Sequence, residues 1–234
     1  FNEATARVYT DHLLLTSDKK ITNEVLKAFN FFMANYRKDK FYHLLISPFG
    51  LRNKLVMLIE NEMKNAKAGK EAYIYIKINN LTDDEIISDL YKAGNAGVKI
   101  RLIVRGMLSL VPGVKGVSEN IRAIGIVDRF LEHSRFMIYC NGGDELVYIT
   151  SADIMPRNLD RRIEVTCPIW DPALKKEITD LFDIQWNDNV KARIYDEEQS
   201  NRMVKTGNKP LHSQIEIHGY ISELNGQPQE ATQE

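Results

Sequence analysis

The feature that most constrains this chain is a regular alternation between short strand-like segments and longer helix-like segments. Residues 51–66 carry apolar side chains at helical spacing, and Gly69 follows them as a stop signal. Residues 72–78 alternate as a strand does, and a helical pattern over 82–93 separates them from a second strand at 99–104. This succession predicts an α/β fold, in which a mixed sheet carries helices on its faces.

Turn and cap residues mark the ends of several segments. Thr82-Asp83-Asp84-Glu85 has the form of a capping box that begins with Thr82. Asp171-Pro172 supplies an N-cap and a first-turn proline for a helix that ends at Trp186. Asn141-Gly142-Gly143-Asp144 predicts a hairpin between its two flanking strands. The same patterns predict a helix over 23–36 and strands at 41–46, 121–127, 136–140, 146–150 and 162–166.

The charge balance of the chain is close to neutral. Its 234 residues include 31 Lys plus Arg against 32 Asp plus Glu, which argues against a general nucleic-acid or membrane-surface binder but leaves room for a local basic cleft. Cys140 and Cys167 lack metal-ligand spacing, which favours reduced thiols and a cytoplasmic location. Charge does not decide whether the protein also contacts the inner membrane peripherally. Residues 227–234 are polar and aperiodic, so we expect a disordered tail.

A first candidate anion site lies at the end of the strand at 99–104. Arg105 and Gly106 follow this strand directly. In open α/β sheets, ligands bind beyond the carboxyl ends of the strands, and an arginine there suits an anion. Gly106 would let such a ligand approach the backbone. An ion-paired surface arginine is the alternative interpretation.

A second candidate site centres on His133. Arg135 follows two residues later, and after the hairpin comes Thr150-Ser151-Ala152-Asp153. This order resembles the phospholipase D superfamily, whose pattern is His-x-Lys followed by Gly-Ser-x-Asn. Such chemistry needs a histidine nucleophile for phosphorus, a cation for the non-bridging oxygens and donors beside them. Arg135 replaces the Lys and Asp153 the Asn, so a structural histidine remains the alternative.

Two stretches of equal length support the second site. Residues 1–11 and 154–164 both end in a carboxylate after an arginine-containing approach. In phospholipase D-like sites, two pseudo-repeats each donate a histidine, and a carboxylate of one repeat can orient the histidine of the other. Asp11 would then support His133, while Glu164 would support a histidine that this chain lacks. A solvated or ion-paired surface acid is the alternative for both.

Long runs of the chain resemble the C-terminal region of the bacterial polyphosphate kinase family, in the type that forms a phosphohistidine. The similar stretches are residues 6–16, 47–53, 104–136, 148–165 and 190–202, so the resemblance covers almost the whole chain short of the polar tail. It implies reversible transfer of the ATP γ-phosphate to polyphosphate, with Mg²⁺ as cofactor. It also implies ATP or ADP and polyphosphate as ligands, no nucleic acid, and a homo-oligomeric intact enzyme.

The resemblance assigns roles residue by residue. Tyr9 matches a nucleotide contact, Arg105 a phosphate contact, and His133 the second active-site histidine, which acts as general acid or base or holds the travelling phosphoryl group. Asp11 and Glu164 match the carboxylates that partner the two histidines. We add a group of cations that would line a path for the polyanion: Arg135, Arg157, Arg161 and Arg162.

In the family, the phosphorylated histidine lies upstream of the stretch that resembles residues 1–11, as do the arginines that help bind Mg²⁺ and phosphate. We therefore expect residues 1–42 to be the trailing piece of a first phospholipase D-like catalytic domain, and residues 43–226 to form the second. The Mg²⁺ ligands are expected outside this chain. Chemistry that needs both histidines should fail in residues 1–234 alone.

Three other interpretations stay open from the sequence. A phosphodiesterase or phospholipid synthase of the same superfamily would use water or an alcohol as acceptor and would not need ATP. A non-catalytic module for nucleotide or polyanion binding, or for assembly, would bind without turnover. A plain α/β domain without a site fits the composition but leaves the family-like runs unexplained.

Overall fold

The structure, a computed structural model, describes residues 2–34, 39–207 and 209–226. Within these ranges the strands are β1 (Tyr9–Thr10), β2 (Leu45–Ser47), β3 (Tyr73–Ile78), β4 (Lys99–Val104), β5 (Ile121–Ile126), β6 (Leu131–Glu132), β7 (Phe136–Tyr139), β8 (Leu146–Thr150), β9 (Glu164–Ile169) and β10 (Ala192–Tyr195). The helices are α1 (Glu3–Ala6), α2 (Lys19–Met33), α3 (Leu51–Lys67), α4 (Asp84–Asn95), α5 (Pro156–Asp160), α6 (Pro172–Trp186) and α7 (Ser213–Leu224).

Eight of the strands form one mixed sheet in the order β10-β5-β4-β3-β7-β8-β9-β2. The pairs β3–β4 and β4–β5 are parallel, whereas β7, β8, β9 and β2 continue the sheet in antiparallel steps. The prediction of an α/β fold with a mixed sheet and flanking helices is therefore confirmed. Strand β1 pairs separately with β6, in parallel.

These directions bring several chain ends to one edge of the sheet, which we call the site edge. The carboxyl ends of β3, β4 and β8 lie there, together with the amino ends of β7 and β9. The segments that follow β3, β4 and β8 stay side by side, because Leu81 forms parallel bridges with both Leu108 and Ile154. Polar residues just outside these strand ends therefore become neighbours.

Helices cover both faces of the sheet. On β3, the side chains of Ile74, Ile76 and Ile78 join the core under α3 and α4. The other face of β3 lies against α6, where Tyr75 stacks on Phe182 with ring centroids 5.1 Å apart. Tyr73, Tyr75 and Lys77 share this second face, as their alternation predicts. Among the described residues, no helix is both long enough and apolar enough to cross a bilayer.

Several predicted boundaries differ from the structure for identifiable reasons. Strand 41–46 shrinks to β2, because the amides of residues 42–44 donate to the buried Glu24 carboxylate at 2.7, 3.0 and 2.8 Å instead of joining the sheet. Strand 162–166 starts at Glu164 and runs on to Ile169, since the Arg162 amide completes the turn after α5.

Helix ends also depart from the predictions. The N-cap of α4 is Asp83 rather than Thr82, and its carboxylate accepts from the Ile86 amide at 3.1 Å. Helix α2 starts at Lys19 rather than at residue 23, because the Asp18 side chain caps it. The predicted end of this helix at residue 36 and the predicted disorder of residues 227–234 lie outside the described residues.

Asp188 joins α6, β10 and α7 through a fully buried carboxylate. It accepts hydrogen bonds from the amides of Val190, Lys191, Ala192 and Ser213, at 2.9, 2.6, 3.1 and 2.8 Å. Burial alone would raise the pKa of Asp188, but the hydrogen bonds from Ser213 and the backbone amides outweigh it and lower the pKa below its ordinary value.

We expect Asp188→Asn to lower the free energy of unfolding by about 2 kcal/mol near neutral pH, because a neutral amide replaces a charged acceptor. Since folding lowers the pKa of Asp188, its stabilisation is present above the ordinary carboxyl pKa and is lost as the pH falls through the folded value. The difference between the two proteins should therefore shrink below about pH 4.

Urea unfolding at several pH values measures this difference. Glu119→Gln, which removes the same charge from an exposed side chain, is the control. A difference that stays constant through the acid range would contradict the prediction.

Candidate functional site

The pairing of β1 with β6 sets the position of the central histidine. Tyr9 lies opposite Leu131 and Thr10 opposite Glu132. The amides of His133 and Ser134 both donate to the Thr10 carbonyl, at 3.2 and 3.0 Å. One residue beyond this register, Asp11 meets His133, although the two lie far apart in the sequence.

His133 contacts three side chains. Its Nδ1 lies 2.8 Å from Oδ1 and 3.1 Å from Oδ2 of Asp11, and the Tyr9 ring meets the imidazole edge-on with centroids 4.9 Å apart. Its Nε2 lies 3.3 Å from Nη2 of Arg135. Because a carboxylate only accepts hydrogen bonds, Nδ1 carries the proton, and the lone pair of Nε2 points toward the guanidinium. The His133 side chain is 31% exposed, so part of the imidazole is open to solvent.

Arg135 and Asp153 form an ion pair, with Nε and Oδ1 2.9 Å apart and side chains 15% and 8% exposed. Asp153 also accepts from the Asn79 amide at 3.0 Å, the Asn80 amide at 3.2 Å and Nδ2 of Asn80 at 2.7 Å. The two departures from the superfamily pattern therefore contact each other. This contact orients the guanidinium toward His133, whose carbonyl accepts from Nη1 at 3.3 Å.

Arg105 lies at the end of β4, as the sequence predicts. Its Nε donates to Oδ1 of Asn79 at 3.1 Å, and within the described ranges it has no carboxylate partner. The structure adds a second reason for Gly106 to the one predicted. A Cβ at this position would lie 2.6 Å from Oδ1 of Asn80 and 2.8 Å from the Asn79 carbonyl, so the neighbouring loop by itself requires a glycine here.

Lys77 and Glu132 are buried beside this group, and the sequence interpretation did not assign them to the site. Nζ of Lys77 lies 3.2 Å from Oε2 of Glu132, with side chains 2% and 3% exposed. Burial lowers the pKa of Lys77, Glu132 opposes this, and the guanidinium groups of Arg105 and Arg135 lower the pKa further. The signal was a lysine in an otherwise apolar or aromatic strand. Asn79 and Asn80 were also missed, although they follow a strand end as Arg105 does.

Glu164 begins β9 and lies further along the site edge. Its carboxylate accepts from the Ser151 hydroxyl and, at 2.7 Å, from Nδ2 of Asn158. Glu164 is only 8% exposed, and no histidine contacts it among the described residues. Asp11 and Glu164 are therefore not brought together.

The three remaining predicted cations lie on α5 and the turn that follows it. They are exposed and form no ion pair with the described residues: Arg157, Arg161 and Arg162. Arg161 contributes to the low pKa of the Asp160 carboxyl, for which the hydrogen bonds from Arg52 are the main cause.

His12 lies behind the site, in the wall of a cavity of about 390 Å³ that Tyr9 and Asp11 also line. Burial, aided by the charge of Lys77, lowers the pKa of His12 to about 4. The imidazole is therefore neutral at physiological pH, and it packs edge-on against Phe136.

The described residues include no side-chain cluster that fits a protein-held metal. Among the described residues, no three His, Cys, Asp or Glu side chains come together as ligands. Asp11 and Glu164 are each engaged by other side chains. A Mg²⁺ site built by these side chains is therefore not supported.

We expect Asp153→Ala to lower the free energy of unfolding by about 3 kcal/mol or more, because it leaves a half-buried guanidinium and buried amides without their acceptor. Asp144→Ala, at an exposed position in the hairpin, should change it by less than about 0.5 kcal/mol. Chemical unfolding of both variants provides the comparison. Equal stability of the two would show that Asp153 does not organise the site edge.

Family comparisons identify the relatives of this chain. Residues 44–214 match the model of the polyphosphate kinase C-terminal domain 2, and residues 1–38 match that of the polyphosphate kinase C-terminal domain 1. A polyphosphate kinase from Vibrio parahaemolyticus is 54% identical over 97% of this chain, which covers 33% of that protein. One from Escherichia coli K12 is 49% identical over 96% of the chain, again covering 33% of the relative.

A solved structure has the same fold. The crystal structure of polyphosphate kinase from Porphyromonas gingivalis superimposes with a TM-score of 0.92 at 41% identity, over 96% of this chain and 35% of that one. The chain spans about a third of the length of the curated relatives it matches. On the family model that covers most of its residues, the chain belongs to the polyphosphate kinase family.

Proposed function

We propose that this chain supplies the His133 half of the active site of a reversible ATP:polyphosphate phosphotransferase. The observation that carries the proposal is the Asp11–His133–Arg135 arrangement beside Arg105. It offers an oriented imidazole nitrogen next to cations at the open edge of an α/β sheet, where anionic ligands bind.

His133 acts through Nε2. Asp11 holds the proton on Nδ1 and stabilises the imidazolium that forms when Nε2 takes a proton. The γ-phosphoryl group of ATP passes to the histidine that the family phosphorylates, which we call the partner histidine, and the bond from phosphorus to the β–γ bridging oxygen breaks. A terminal polyphosphate oxygen then attacks phosphorus, and the bond to the histidine breaks. On the side of the phosphorus atom opposite that histidine, His133 gives a proton to the leaving oxygen or takes one from the attacking oxygen.

Positive charge serves the transferred group. Arg105 has no carboxylate partner among the described residues, so its charge is available to the equatorial phosphoryl oxygens. Arg135 is partly neutralised by Asp153 but keeps Nη2 beside Nε2 of His133. Exchange of one phosphoanhydride for another makes the reaction reversible.

Other predicted residues take their places around this centre. Tyr9, 39% exposed and edge-on to His133, is proposed as the nucleotide contact. Three exposed cations, which form no ion pair with the described residues, are proposed to guide the polyphosphate chain: Arg157, Arg161 and Arg162. Glu164 is proposed to orient the partner histidine.

The remaining proposals concern the intact protein. Residues 1–42 are proposed to belong to one phospholipase D-like catalytic domain and residues 43–226 to a second. The ligands are ATP or ADP and polyphosphate rather than nucleic acid, in a cytoplasmic homo-oligomer. Mg²⁺ is proposed as the cofactor of the intact protein, with its ligands outside residues 1–234.

Calorimetry with ATP and with tripolyphosphate tests the phosphate site. We expect Arg105→Ala to weaken binding about tenfold or more, because it removes a charge-assisted contact. Arg122→Ala is the matched control, since this exposed arginine lies near the opposite end of the neighbouring strand β5 and should change the affinity less than about twofold. An equal loss of affinity in both variants would show that binding reflects general charge attraction rather than a specific phosphate site.

His133→Ala separates binding from chemistry. We expect tripolyphosphate affinity to stay within about threefold of wild type, because Arg105 remains, while phosphoryl exchange between ATP and polyphosphate is lost wherever the wild-type protein supports it. Because exchange needs both histidines, it is measured in the intact protein, where binding without any exchange would favour a non-catalytic binding module. Hydrolysis of phosphodiesters without ATP would favour the phosphodiesterase alternative.

A further inference from the structure

The backbone on both sides of His133 is held by one buried ammonium group. Nζ of Lys77, from β3, donates to the carbonyl and the hydroxyl of Ser134 at 2.9 and 2.8 Å. The same Nζ lies 3.2 Å from Oε2 of Glu132. Lys77 therefore joins the residue before His133 to the residue after it.

Two helices hold Glu132 from the other side. Gln185 of α6 donates to its Oε2 at 2.6 Å, and Gln214 of α7 donates to its Oε1 at 2.8 Å. Gln214 also accepts from the Phe130 amide at 3.1 Å and donates to the Phe130 carbonyl at 2.9 Å. The segment that carries His133 is thus tied to β3, α6 and α7.

This network does not contact the His133 imidazole itself. Glu132 and Ser134 point inward and are buried, whereas the imidazole lies between them on the open side, against Asp11 and Arg135. Stability alone does not require such a network, because a well-packed apolar pair is often as stable as a buried ion pair. What the network does determine is the position and direction of the backbone segment 132–134, which carries His133.

We propose that Lys77 and Glu132 are positioning residues for His133. They hold residues 132–134 where Nδ1 meets Asp11 and Nε2 meets Arg135, and so they select one tautomer of the imidazole. The proposal rests on the proposed function of His133, but its test does not need turnover.

The variant must remove the pair without leaving a buried charge. Lys77→Met alone strands Glu132 and threatens folding. The double variant Lys77→Met/Glu132→Gln removes both charges, and Oε1 of Gln185, which has no partner among the described residues, becomes available to a donor on residue 132. Arg101→Met/Asp183→Asn is the matched control, because this pair lies on the same face of the sheet, 3.8 Å apart and away from the site edge.

Imidazole ¹⁵N NMR is the readout, with the His133 signals assigned by their disappearance in His133→Gln. We expect wild type and control to show a single Nδ1-protonated tautomer, and the double variant to show a mixture while still melting cooperatively. A folded double variant with the wild-type His133 signals would overturn the proposal, as would mixed tautomers in wild type. If the double variant does not melt cooperatively, Lys77→Gln/Glu132→Gln, which also removes both charges but keeps a hydrogen-bond donor at residue 77, carries the same test with the same outcomes.

The two proposals fail separately in this design. Tripolyphosphate binding should weaken less than about threefold in the double variant, since Arg105 is retained. Binding that does not depend on Arg105 would remove the support for the proposed function and leave the tautomer result intact. Wild-type tautomer signals in the double variant would remove the positioning role and leave the phosphate site intact.

Discussion

The parallel pairing of β3 with β4 is the constraint on which the rest of the architecture depends. Parallel neighbours need a crossover, which α4 supplies, and they end at the same edge of the sheet. The residues that follow the two strands, Asn79 and Arg105, are therefore in contact. His133 lies just before the amino end of β7, and Asp153 lies just after the carboxyl end of β8. Because these two strands are antiparallel, both ends lie at that same edge. The directions of the strands bring these four residues to one edge of the sheet, so their meeting does not require a long loop.

Three cations at the site differ in their burial and in their ion-pair partners. Lys77 is fully buried and compensated by Glu132, Arg135 is partly buried and compensated by Asp153, and Arg105 has no carboxylate partner among the described residues. Buried charges need such partners, since an unpaired one costs several kcal/mol. The compensated cations give shape to the site edge, whereas Arg105 keeps a positive charge that no described carboxylate pairs with.

The two stretches of equal length share only part of their local structure. A short helix precedes the carboxylate in each, α1 before Asp11 and α5 before Glu164, but strand β1 lies directly before Asp11, whereas a turn lies between α5 and Glu164. Asp11 is 23% exposed in its side chain and bonds a histidine, while Glu164 is buried and bonds Ser151 and Asn158. The repeated order of helix and carboxylate therefore does not determine what the carboxylate meets.

Local signals in the sequence determined much of the fold. The bounds of β4, β8 and α6 agree with their predictions, because alternation, flanking turns and the Asp171-Pro172 cap act within a few residues. The strand-end position of Arg105 and the shared face of Tyr73, Tyr75 and Lys77 follow from the same short-range rules. The family resemblance extended this information to Asp11 and His133.

Only the tertiary structure decided which polar groups meet. The Glu24 carboxylate accepts hydrogen bonds from the amides that would otherwise have lengthened β2. Lys77 meets Glu132 because β3 pairs with β7, which places the segment before β7 next to Lys77. The physical reason is that hydrogen bonds and ion pairs between distant segments depend on the packed geometry of the chain. Residue order by itself carries only the short-range part of that information.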